Sequence, residues 1–105
     1  MAFNPDIDNS ISLEDAAQYT ANFRQAFPNA ITANAYGKGL MLELLEQRNC
    51  AGFRIYNGID EKGDQQLVLV GVDIHGNDLY RGVLLDRSQP CPNVCSEENP
   101  LNKNT

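Results

Sequence analysis

The chain has no tryptophan, a single histidine, and only eight lysines and arginines against 14 aspartates and glutamates. Each shortage excludes something. A net charge of −6 repels phosphate backbones and anionic bilayers. No basic cluster offsets it, because Arg24, Arg48, Arg54, Arg81 and Arg87 are scattered. Neither nucleic acid nor a membrane surface is therefore expected as a partner. No apolar run approaches the roughly 20 residues that cross a bilayer. Met1-Ala2-Phe3-Asn4-Pro5-Asp6 has neither a basic n-region nor an apolar h-region, so no secretory leader is read there, although a chain trimmed of its leader would look the same. These absences make the cytoplasm the expected compartment. There, the three cysteines are expected as thiols or metal ligands rather than structural disulfides.

What is present suits one small domain. The 105 residues are 42% apolar, and a chain of this length buries roughly 65% of its unfolded surface. Residues 1–11 read as an N-terminal extension, with Asn4-Pro5 as a turn. Ser12 is a helix cap, and Asp15 three residues on completes a short capping box. Leu13, Ala16, Thr20, Phe23 and Phe27 then recur at helical spacing until Pro28 denies the helix a donor, which predicts a helix over 13–27. Residues 30–36 alternate weakly and fit a short strand or a connector. After Gly37-Lys38-Gly39, the stripe Leu40, Met41, Leu44 and Leu45 predicts a second helix over about 40–48.

The period then changes. Phe53, Ile55 and Tyr56 between Gly52 and Gly58 predict a strand over 51–57. Gln66 to Asp73 is apolar at successive positions, as in a strand covered on both faces. Leu79 to Leu85 reads as a third strand. From Asp86 the composition turns to Pro, Asn, Ser and Glu, an irregular tail over 86–105 packed on the domain. The expected fold class is α+β: two N-terminal helices packed on a small antiparallel sheet of about three strands, with the Leu67–Val72 strand in the middle and a Cys/Pro-containing tail. Two helices cover one face of such a sheet; the other is left for the tail or for another subunit.

Candidate chemistry is sparse. Cys91 and Cys95 are separated by three intervening residues, whereas zinc knuckles use two and structural sites need four ligands. Cys50 and His75 complete a Cys3His set in residue type only, so Cys91, Cys95, Cys50 and His75 stand as weak metal candidates, with zinc as the implied ion. A disulfide or redox pair between Cys91 and Cys95 is sterically open. The plainer account, which we favour at this level, is two small thiols helping a Pro-rich tail pack. Asp60-Glu61-Lys62-Gly63-Asp64 and Asp73-Ile74-His75-Gly76-Asn77-Asp78 superficially resemble calcium loops but lack EF-hand spacing, and hairpin turns need the same residues. No spacing places Cys50 beside His75 as a nucleophile and base, and Gly37-Lys38-Gly39 is no P-loop. Arg54, Tyr56, Tyr80 and Arg81 suggest an anion pocket, or more simply a polar sheet edge.

The order Arg54-Ile55-Tyr56-Asn57-Gly58, Leu67-Val68-Leu69-Val70-Gly71-Val72-Asp73, Gly76-Asn77-Asp78, Cys91-Pro92 with Cys95, and Asn99-Pro100-Leu101-Asn102 resembles a group of small uncharacterised bacterial proteins. It covers about the last half of the chain. The resemblance implies that the tail belongs to the domain and carries over no activity, cofactor or site. The sequence thus favours a non-catalytic binding or assembly module over an enzyme, with a second copy or another protein as partner. A thiol-based metal or redox protein is the alternative.

Overall fold

The structure, a computed structural model, describes residues 3–103. Along the chain it forms α1 (Leu13–Ala26), β1 (Ala33–Ala35), α2 (Lys38–Leu45), β2 (Gly52–Ile59), β3 (Gln65–Val72), β4 (Leu84–Leu85) and β5 (Gln89–Cys91). The strands make two antiparallel sheets, β2-β3-β4 and β1-β5. The α+β class is as expected. Contacts group the chain into two units, each assembled from separated segments. One joins the N-terminal residues through Ile7 to Tyr36–Ser88, and the other joins Asp8–Ala35 to the chain from Gln89 onwards.

In the first unit β3 is central, as its doubly apolar sequence requires. It pairs with β2 over the full run from Gly52↔Val72 to Ile59↔Gln65, and with β4 only at Leu69↔Leu85 and Val70↔Leu84. Leu44 of α2, Leu69 and Leu85 form the buried cluster, flanked by Tyr36, Met41, Cys50, Leu67 and Val83. An eight-residue helix is marginal alone. Burying Leu44 completely contributes about 2 kcal/mol and ties α2 to the sheet. Phe3, from the stretch expected as an extension, donates its backbone N–H to Ile74 O and lays its ring over Gly52.

The two loops of this unit are one turn used twice. Asp60 accepts hydrogen bonds from Lys62 N and Asp64 N, and Asp73 accepts from His75 N and Asn77 N. Each loop closes through Gly63 or Gly76 at a φ of 87° or 84°, a conformation glycine adopts without steric cost.

Several expectations need correction. The helix pair does not share the three-stranded sheet: α2 packs on β3 and β4, while α1 belongs to the other unit. Ser12 caps α1 as expected, accepting from Asp15 N. The bulky stripe, however, does not turn inward. Leu13, Phe23 and Phe27 are exposed, and the partly buried side carries Ala16, Ala17, Thr20, Ala21 and Arg24. Small residues permit close backbone approach. Phe23 and Phe27 stack on each other instead, with centroids 5.1 Å apart. The third strand shrinks to Leu84–Leu85 because Gly82 N bonds back to Leu79 O and forms a turn. Of the ambiguous 30–36 stretch only Ala33–Ala35 is a strand, and its partner β5 lies in the tail expected to be irregular. No helix among the described residues is long and apolar enough to cross a membrane.

Candidate functional site

In the unit formed by residues 8–35 and 89–105, β1 and β5 pair from Ala33↔Cys91 to Ala35↔Gln89. Thr32 extends the ribbon, donating its backbone N–H to Cys91 O at 2.9 Å. Past Cys91 the chain reverses, with Val94 N donating to Pro90 O at 2.9 Å. That reversal brings the Cα atoms of Cys91 and Cys95 to 4.9 Å, within the range a disulfide spans, and their sulfurs are bonded. The expectation of packing thiols is overturned here. Sequence reasoning weighed the pair against zinc spacing and compartment, but the deciding factor was the tail's turn.

A second turn follows. Asn99 Oδ1 accepts from Leu101 N, and Asn102 Oδ1 accepts from Asn99 N. Arg24 of α1 secures it, donating to Leu101 O and Lys103 O. A guanidinium is suited to this because its donors form a rigid fork. Between α1, β1 and these turns lies a cavity of about 640 Å3. Tyr19 and Phe23, Val94 and Leu101, and the disulfide supply its apolar lining. All four apolar side chains remain between 42% and 63% exposed. The sequence offered one signal for this groove that went unread: Val94 and Leu101 are isolated apolar residues in a polar tail.

The other unit holds the remaining candidates. Arg54 and Tyr56 of β2 converge on one carboxylate: Arg54 donates to Asp78 Oδ1 and to Gly76 O, and the Tyr56 hydroxyl donates to Asp78 Oδ2. The Asp78 carboxylate raises both the Arg54 guanidinium and the Tyr56 phenol above their ordinary pKa values. The anion pocket suggested by Arg54, Tyr56, Tyr80 and Arg81 is thus occupied by the protein's own aspartate. Arg81 sits 5.6 Å from the centroid of the Tyr80 ring. These two line a shallow depression of about 520 Å3 with Gln47 and with Asp78, whose carboxylate Arg54 and Tyr56 already hold.

The metal candidates are divided. Cys91 and Cys95 are joined to each other in one unit, and a disulfide sulfur is not a thiolate ligand. Cys50 and His75 lie in the other unit. The Cys50 thiol donates to Gly52 O at 3.1 Å, and His75 is exposed in its turn. Among the described residues no group of three or more His, Cys, Asp or Glu side chains is arranged to hold a metal. The calcium-like loops turn Asp60 and Asp73 onto their own backbone amides, as hairpin turns do. Gln66 adds a third donor to Asp60, and these bonds hold the Asp60 carboxyl below its usual pKa.

One further feature is exposed rather than enclosed. β2 is eight residues long and lies at the edge of its sheet. Phe53, Ile55 and Ile59, which share one face with Asn57, are 42%, 51% and 78% exposed. Compared with known families and proteins, the chain matches no family model, no curated protein and no solved structure.

Proposed function

We propose that this chain is a non-catalytic assembly module that pairs with a second copy of itself along β2. The observation that carries this is the open eight-residue edge with its apolar row of Phe53, Ile55 and Ile59. An unpaired strand edge is a template for another strand, and proteins that remain monomeric blunt such edges with Lys, Pro or a bulge. β2 contains neither Lys nor Pro. Its one charge, Arg54, is compensated by Asp78. Two copies can therefore meet antiparallel about a two-fold axis without like charges facing each other, despite the net −6 of each chain. Sedimentation velocity at micromolar concentration should show a dimer, and Ile55→Lys should shift the boundary to monomer. A monomer throughout for the unaltered chain would remove the proposal.

The Cys91–Cys95 disulfide supports a second reading, a protein that exchanges thiol and disulfide in its tail. Cys95 is exposed, so an attacking thiolate can reach it. Thiol titration of the chain unfolded without reductant should then count Cys50 alone, rising to all three cysteines after treatment with a dithiol. Three titrating thiols before any reductant is added would discard it.

A further inference from the structure

The groove of the 8–35/89–105 unit has a composition that specifies what it can take. Its polar lining is already committed to the protein. Arg24 is held by the carbonyls of Leu101 and Lys103. Thr20 Oγ1 donates to Ala17 O, and Thr32 Oγ1 to Cys91 O. Asn99 bonds Ser96 Oγ and Glu97 O, while Asn102 bonds Ser96 O and Glu97 O. Asn34 is likewise engaged. A charged or strongly hydrogen-bonding ligand would have to compete with these bonds for the same groups.

The apolar lining is in the opposite condition. Tyr19, Phe23, Val94 and Leu101 all reach the groove and all remain substantially in water. Covering them returns free energy in proportion to the area buried. Among the described residues, Arg24 is the only cationic side chain in the wall, with its guanidinium turned to main-chain oxygens, and no carboxylate side chain lines the groove. The volume of about 640 Å3 lies in the range of sites that enclose small organic molecules.

We propose that this groove binds an uncharged small molecule with an aromatic or branched aliphatic body, held against Tyr19 and Phe23 of α1 and against Val94, Leu101 and the Cys91–Cys95 disulfide of the tail. The site goes beyond the assembly role of β2 and uses none of its residues. Recognition is by shape and apolar contact, so affinity follows the ligand's buried area and falls when charge is added.

The test uses the full chain with Nile red, an uncharged apolar dye, and anilinonaphthalene sulfonate as its anionic counterpart. Nile red should bind saturably, one per chain, with its emission shifted to the blue, and about tenfold more tightly than the sulfonate. Val94→Glu and Leu101→Glu, both at exposed positions, should each weaken Nile red by at least about tenfold, the loss expected when a charge enters an apolar contact. Ile55→Lys, on β2, should leave dye binding unchanged whatever it does to the sedimentation boundary. Chemical-shift mapping on the unaltered chain should place the dye at the methyl groups of Val94 and Leu101 and the ring of Phe23, which keeps the proposal testable if either glutamate variant fails to fold. Absence of saturable binding, binding that survives both glutamate variants, or shifts confined to β2 would overturn it. So would Val94→Glu or Leu101→Glu dissociating a dimer that Ile55→Lys leaves intact, because the groove would then be a protein interface.

Discussion

At the scale of single residues, the most demanding position is Gly82. A Cβ built there lies 2.0 Å from the side-chain oxygen of Gln47. That oxygen accepts from Val83 N at 2.8 Å, while the Gln47 amide nitrogen donates to Leu44 O, also at 2.8 Å. One side chain thus stitches the end of α2 to the segment leading into β4, and glycine leaves the room for it. Gly82→Ala should lower stability by about 2 kcal/mol, the usual cost of overpacking compounded by a displaced, part-buried amide. Gly39→Ala, inside α2 with nothing within 4 Å of its Cβ, should instead raise stability by up to about 1 kcal/mol. Urea denaturation of the two variants checks the pair. Neither outcome was legible in the sequence, where Gly39 reads as punctuation before the second helix and Gly82 as an interruption within the third strand. The Ser12 cap was legible, because capping is local: a hydroxyl three residues from the amide it accepts from needs no tertiary information.

At the scale of elements, local periodicity worked where the partner lay close in sequence and failed where it lay far away. The β2–β3 hairpin follows from two apolar runs and a turn, and Asp60 gives that turn a pH dependence. Its carboxyl titrates below the ordinary carboxylate range because Gln66 and the loop amides bond the charged form. The folded pKa lies under the unfolded one, so the contribution of Asp60 is fully present above about pH 4 and is lost as pH falls through the folded value. The urea midpoint of the unaltered chain should therefore drop as pH falls below about 4, and Asp60→Asn should flatten that part of the profile. An equal drop in the variant would show that other carboxylates carry it. By contrast, the inward side of α1 is rotated from the expected stripe: Ala16 and Thr20 of that stripe are partly buried, but Leu13, Phe23 and Phe27 are not. Its bulky residues recur at a helical period, but the helix rests on its alanines and on Arg24, whose carbonyl partners lie more than 70 positions away. Hydrophobic spacing says where a stripe is, not which stripe the rest of the chain will cover. The tail escaped for the same reason: β5 has meaning only opposite β1, and three residues of Gln-Pro-Cys carry no strand signal alone.

At the scale of the whole molecule, the candidate surfaces are divided between the two units. The open β2 edge belongs to one unit, and the apolar groove with its disulfide belongs to the other. Charge explains why the edge rather than the broader surface suits self-pairing. A net −6 on each chain opposes association everywhere except where the carboxylates are absent or compensated, and β2 has none of its own. Composition made the overall charge plain, but only the register of β2 against β3 located its neutral side.

The register of β1 against β5 has a consequence for how stability is shared. Ala35 and Gln89 are direct partners, so the chain leaves the ribbon after one and re-enters it at the other. Topologically, residues 36–88 are an insertion carried on a two-strand handle. A flexible loop of roughly fifty residues would charge that handle about 3.5 kcal/mol in closure entropy, a large sum for six paired residues. A folded insertion whose ends already converge removes most of that cost. The ribbon is therefore easiest to close once residues 36–88 have folded, although it shares no strand with them.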